Sequence, residues 1–96
     1  MQFKKKWAEQ IISNRIDTND ENSYTNKLYR KGINKVAQKV GEEAVELVIE
    51  AKDNDGNLFK NEAADLIYHY LILLKAKGFE LKNIEEVLKN RIKNIQ

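Results

Sequence analysis

No proline interrupts this chain and only four glycines occur in it, so the strongest local terminators of a helix are nearly missing. Apolar residues recur at helical spacing between short polar stretches. Phe3, Trp7, Ala8, Ile11, Ile12 and Ile16 predict a first helix over about residues 3–16, with a basic opposite face. DTNDEN (17–22) is turn-prone, and Ser23 can cap a short helix that begins at Tyr24 and ends at Gly32. Asn34 can cap a central helix over about 35–53, which the turn DNDGN (53–57) ends. Asn57 can cap the next helix, about 58–77, with Gly78 placed just past its end. Leu81, Ile84, Val87, Leu88 and Ile92 mark a last helix over about 81–94. The expectation is an all-α fold of four main helices plus a short one.

At 96 residues the length suits one domain, 1–96, whose core is small enough that a partner subunit is expected to complete it. Hydrophobic residues at 42% and charged residues at 33% fit a soluble globular chain or helical oligomer, not a disordered one. The net charge of +2 is the remainder of 17 basic and 15 acidic residues, so no global field argues for nucleic acid or an anionic membrane. The run Lys4, Lys5, Lys6 has only Phe3 and Trp7 beside it and reads as a solvated face. No signal peptide or membrane-length apolar run is present, so a cytoplasmic location is expected. Without cysteine, metal ligands must be oxygens or the single His69, and any metal should be hard. DNDGN superficially suggests a calcium loop, but Gly56 would be sixth only if Ala51 were the first ligand.

KVGEEAVELVIEAK (39–52) carries Glu42, Glu43 and Glu46 as EExxE, and EAADLIYHYLILL (62–74) carries Glu62 and Asp65 as ExxD. One-turn spacing puts such pairs on a common helix face. Lys39, Glu42, Glu43, Glu46 and Glu50 fall within an arc of about 100° on the central helix. Val36, Val40, Ala44 and Leu47 lie to one side and Val45 and Ile49 to the other, which predicts a largely enclosed helix. A solvated stripe paired to Lys39 is the plain alternative. The next helix argues against it, because its polar stripe Glu62, Asp65, His69 runs into Leu66, Ile72 and Leu73 and should therefore face inward. Clustered carboxylates repel one another and lose hydration unless they bind cations or take up protons. Mg²⁺ answers both, since it favours oxygen ligands and bridges carboxylates to phosphates. Glu43 with Glu46 would then face Glu62 with Asp65, leaving Glu42 to orient or deprotonate water. Glu50, at the far end, is left out of this set. His69 suits a hydrogen-bonded supporting role better than a ligand's, and Tyr68 and Tyr70 read as packing residues with polar tips. Lys27, Arg30, Lys31 and Lys35 gather just before the acidic helix, either as solubilising charge or as a polyphosphate contact, with Lys39 the best candidate for the latter.

Beyond the acids, SYTNKLYRKGINKVAQKVGEEAVELVIEAK (23–52) and EAADLIYHYLILLKAKGFELKNIEEVL (62–88) resemble the all-α superfamily of MazG-type nucleotide pyrophosphohydrolases, and more closely phosphoribosyl-ATP pyrophosphohydrolases. SYT with QKVGEE and DLIYH narrows the resemblance to the latter family; DTNDEN departs from it in lacking a proline often found there. The resemblance implies a MazG-like bundle completed by an intertwined homodimer. It implies Mg²⁺-dependent hydrolysis of phosphoribosyl-ATP to phosphoribosyl-AMP and pyrophosphate, the second step of histidine biosynthesis. It also implies Glu43, Glu46, Glu62 and Asp65 as metal ligands, Glu42 as auxiliary ligand or water-activating base, Lys39 at phosphate, and the segment Ser23, Tyr24 to Lys27 at the substrate. The length and the lack of cysteine resemble the monofunctional form, without the ring-opening enzyme sometimes fused upstream. A house-cleaning nucleoside triphosphate pyrophosphohydrolase and a metal-stabilised helical interaction module are the competing readings. No nucleic-acid or membrane partner is expected.

Overall fold

A computed structural model describes the backbone of residues 5–95 and the side chains of residues 7–93. Five helices follow in order: α1 (Lys5–Asp17), α2 (Tyr24–Arg30), α3 (Ile33–Ala51), α4 (Gly56–Lys77) and α5 (Leu81–Ile95). No strand occurs among the described residues, and none of their helices is long and apolar enough to cross a membrane. The expected all-α class holds. The predicted start of α1 at Phe3, and Lys4 in the basic run, lie outside the described residues.

Two of the three expected caps differ from the sequence reading. Ser23 caps α2 as expected, accepting from the Asn26 N–H at 3.3 Å. Asn34, however, lies inside α3, which begins two residues early because Gly32 adopts φ 102 and turns the chain directly out of α2. L-residues avoid that conformation, so the glycine makes the sharp junction possible. Asn57 is likewise inside α4, and the cap is Asp55, whose carboxylate accepts from the N–H groups of Asn57 at 3.0 Å and Leu58 at 3.1 Å. A charged acceptor at the positive end of a helix is the better cap. Gly78 ends α4 in the left-handed region at φ 82, as its position predicted.

The longest helices, α3 and α4, form a hairpin across the short turn 52–55. The core lies between this hairpin, α1 and α2: Ile12 and Ile16 from α1, Leu28 from α2, Val36 from α3, and Leu71, Ile72 and Leu74 from α4. Ile12, Val36 and Ile72 are almost wholly enclosed. The face of α1 that packs is Ala8, Ile12 and Ile16, and Trp7, expected on the apolar face, is 67% exposed because it lies off that stripe.

α2 is joined to its neighbours by polar contacts. Asn26 is buried; its amide donates to Asn19 Oδ1 at 2.8 Å and the Asp20 carbonyl at 3.1 Å, and its oxygen accepts from Arg30 Nε at 3.0 Å. Arg30 Nη2 continues to the Ile16 carbonyl at 2.8 Å, tying α2 to the end of α1. Thr25, fully buried, hydrogen-bonds the Tyr68 hydroxyl on α4. A buried polar group without a partner costs on the order of 1–3 kcal/mol, so this satisfied set fixes where the short helix sits.

The hairpin is not enclosed within one chain, contrary to the expectation for α3. Val45 is 60% exposed, Val48 and Ile49 are each 55% exposed, and on α4 Ile67 is 57% exposed. Among its described residues, α5 meets the core at its start, through Leu81 and Ile84, while the Leu81 N–H donates to Glu9 Oε2 on α1 at 2.7 Å. The rest of its apolar stripe, Val87, Leu88 and Ile92, stays open. Among the described residues, the core covers one side of α3 and α4.

Candidate functional site

The α3–α4 hairpin places the two acidic motifs opposite each other. Glu43, Glu62 and Asp65 each bring a carboxylate oxygen within 4.8 Å of the other two. Glu43 projects from the buried side of α3 and is only 6% exposed, whereas Glu62 is half-buried and Asp65 exposed. The predicted inward stripe of α4 is therefore inward at His69 and Ile72, partly so at Glu62, and exposed at Asp65.

Glu46, one turn after Glu43, pairs with the Glu62 carboxyl. That pairing, burial, and the charges of Glu46, Asp65 and Glu43 push the Glu62 pKa up to about 7. Two carboxyls this close cannot both ionise cheaply, so one retains a proton in the absence of a cation. Glu62 Oε2 is buried without a hydrogen-bond partner, and so is Glu50 Oε2 further along α3. Glu50, left out of the acidic set on sequence grounds, thus points away from solvent; its position at the end of the stripe gave no sign of that.

Lys39 sits at the edge of this cluster, 3.5 Å from Glu42 and 3.6 Å from Glu43. Burial alone would lower its pKa, but the Tyr24 hydroxyl, Glu42 and Glu43 outweigh that and raise it. Glu42 is exposed and accepts from the Gln38 amide at 3.0 Å; that bond, with Lys39, holds its carboxyl below the usual range despite slight desolvation. The structure thus separates Glu42 from the converged acids, at their margin and beside a cation.

His69 reaches the cluster from behind. Its Nδ1 lies 2.7 Å from the Asp65 carbonyl, which can only accept, so Nδ1 carries the proton. In the neutral ring Nε2 then accepts from the Tyr24 hydroxyl, also at 2.7 Å. Tyr24 and Tyr68 both stand edge-on to the imidazole, with ring centroids at 5.7 and 5.8 Å. Burial, set against nearby Lys39, leaves the Tyr24 pKa raised. The ring nitrogens of His69 are both engaged, in keeping with a supporting role. The Tyr24–His69 contact joins residues 45 apart in the chain, and no local pattern announces it.

Of the remaining expected contacts, Ser23 is buried with its hydroxyl oxygen accepting from Asn26, while Tyr24 and Lys27 are exposed. Tyr24, Lys27, Lys31, Lys35 and Lys39 line a cavity of about 700 Å³ next to the acids. Arg30 lines it too, although its guanidinium is already bound to Asn26 and Ile16 and lies over the Tyr29 ring. Acids on one side and ammonium groups on the other form a site suited to a cation and an anion held together.

Comparison with known proteins gives a consistent result. The family model described as phosphoribosyl-ATP pyrophosphohydrolase matches residues 6–92. The chain is 46% identical over 83 residues to the histidine biosynthesis bifunctional protein HisIE of Buchnera aphidicola subsp. Schizaphis graminum, covering 86% of this chain but 40% of that protein. It is 51% identical over 71 residues to the phosphoribosyl-ATP pyrophosphatase of Streptococcus gordonii, covering 74% of this chain and 68% of the other. With the phosphoribosyl-ATP pyrophosphatase of Pyrobaculum arsenaticum the identity is 45% over 85 residues, covering 88% and 90%. The chain therefore spans less than half of the bifunctional relatives and most of the single-function ones.

The proton on the Glu62 side of the cluster has a measurable consequence for the metal-free protein. Between pH 4.5 and about 7 the native state holds this proton and the unfolded chain does not, so stability falls as pH rises through that window. In EDTA, the Tm of the wild type is expected to drop across this range relative to that of Glu62→Gln, which lacks the titrating group. Parallel Tm profiles for the two proteins would refute the coupling.

Proposed function

The chain belongs to the phosphoribosyl-ATP pyrophosphohydrolase family, and from that premise we propose that it hydrolyses phosphoribosyl-ATP to phosphoribosyl-AMP and pyrophosphate, in the cytoplasm, as the second step of histidine biosynthesis. The observation that carries this reading is the convergence of Glu43, Glu62 and Asp65, with Glu46 on Glu62, beside a cavity lined by lysines.

The donor set fits Mg²⁺: all its members are carboxylate oxygens, and the buried, unpartnered Glu62 Oε2 gains a partner when a cation binds. Glu43, Glu46, Glu62 and Asp65 would hold the ion. Bound there, it supplies charge neutralisation for the triphosphate and lowers the pKa of coordinated water. The chain's own residues do the rest. Lys39 stays protonated under the influence of Glu42 and Glu43 and faces the anionic chain of the substrate. Glu42, held ionised by Gln38 and Lys39, is the available carboxylate to accept a proton from the attacking water. Tyr24, fixed through His69 to the Asp65 backbone, positions α2 and the following Lys27 against the substrate. No covalent nucleophile is needed.

A homodimer completes this reading. On α3 the exposed residues Ala37, Gly41, Val45 and Val48 form one stripe. A glycine inside a helix costs about 1 kcal/mol relative to alanine. At Gly41 an added Cβ would meet nothing within 4 Å in the single chain. Close approach of a second copy accounts for both the glycine and the apolar stripe around it, and the open stripe of α5 provides a further covering surface. Residues 1–96 then act as one domain within that assembly.

Purified protein is expected to release pyrophosphate from phosphoribosyl-ATP only with Mg²⁺, and far more slowly from dATP, dCTP or dUTP. Equal turnover of the ordinary triphosphates would favour a house-cleaning enzyme, and no release from any of them would favour a non-catalytic module. Glu43→Gln and Asp65→Asn are expected to lower turnover by about 10²–10³-fold while the helical circular dichroism persists; folded variants with normal turnover would remove those residues from the site. For the assembly, light scattering should give twice the chain mass, reduced by Val45→Asp with Val48→Asp. A monomeric wild type at micromolar concentration would reject the dimer.

A further inference from the structure

The cavity beside the acids has a composition that the cation site does not explain. Lys27, Arg30, Lys31, Lys35 and Lys39 line it against one carboxylate, Glu21. Lys27 and Lys31 form no ion pair or side-chain hydrogen bond with any described residue, and Lys35 has only the Gln38 amide at 3.4 Å. A lone acid among ammonium groups cannot build a carboxylate cage for Mg²⁺, so an anion here would be bound by lysines directly. Phosphate groups offer several strong acceptor oxygens and about two negative charges near neutral pH, which matches such a set. The volume, about 700 Å³, exceeds what one phosphate needs and suits a phosphorylated sugar.

Two residues connect this cavity to the acids. Lys39 lines it and lies 3.6 Å from Glu43. Tyr24 presents a half-exposed ring to it while its hydroxyl is held by His69 on the acid side. A ligand spanning both regions must therefore carry negative charge at two separated places. Phosphoribosyl-ATP does so, with a triphosphate on one ribose and a phosphomonoester on the other; ordinary nucleoside triphosphates do not.

We propose that the lysine-lined cavity receives the phosphomonoester of the phosphoribosyl group, and that Lys31 and Lys35 thereby select this substrate over nucleoside triphosphates. The inference deepens the proposed function and rests on it. Both lysines are exposed side chains on helix ends or junctions, so their replacement leaves the core intact.

Two measurements test the assignment. In Lys31→Ala with Lys35→Ala, the ratio of kcat/KM for phosphoribosyl-ATP to that for ATP should fall roughly a hundredfold, the loss of two charge-assisted hydrogen bonds, and Lys31→Arg with Lys35→Arg should retain most of it. A parallel fall on both substrates would assign the cavity to the triphosphate, and an unchanged ratio would make it solvated surface; either overturns the proposal. Separately, ribose 5-phosphate titrated without Mg²⁺ or nucleotide should shift the amide NMR signals around residues 27–39 saturably, ribose should not, and the alanine double variant should lose the response. Identical shifts with ribose, or none, would refute the pocket even in a protein that turns over phosphoribosyl-ATP. Should the wild type fail to prefer phosphoribosyl-ATP at all, the parent reading falls, while this titration still decides what the cavity binds.

Discussion

Mutual repulsion among the carboxylates on α3 and α4 is the constraint around which the rest of this molecule is arranged. A hairpin of two long helices would be more stable with apolar residues where Glu43, Glu46, Glu62 and Asp65 meet, because converged carboxylates lose hydration and oppose one another. The chain tolerates the arrangement by keeping a proton on the Glu62 pair and a lysine beside Glu43. Stability given up at a fixed place in this way is characteristic of a site prepared for a ligand of opposite charge.

Support for that site comes from the small polar helix α2 more than from the apolar core. Thr25 locks to Tyr68, Arg30 to the end of α1 and Asn26 to the turn after it, and Tyr24 reaches His69 and through it the Asp65 backbone. Each contact is buried or half-buried, so displacement of α2 would strand several polar groups at once. The same helix carries Lys27 into the lysine-lined cavity, which makes its placement a condition for any ligand that spans acids and lysines.

Much of this was legible from residue pattern alone. Helical periodicity and the scarcity of breakers specified all five helices, and EExxE with ExxD specified which turns of α3 and α4 converge. At two helix starts a candidate asparagine stands near a stronger signal: Gly32 takes the entry to α3 through its positive φ, and Asp55 takes that of α4 through its charge. The Tyr24–His69 bond and the buried oxygen of Glu50 depend on tertiary placement and left no trace in local spacing. Exposure of Val45 and Ile49 has a different origin: their apolar character predicts an enclosed helix, but the described residues of one chain leave both more than half exposed.

On the proposed function, α3 and α4 together form a carboxylate clamp that would exchange its resting proton for a divalent cation. Calorimetric titration with Mg²⁺ at about pH 6.5, in two buffers of different ionisation enthalpy, tests it most directly. Saturable binding accompanied by proton release is expected, with the release fading by about pH 8 and absent in Glu62→Gln. Absence of saturable binding, or binding whose proton count is the same in Glu62→Gln, would contradict it.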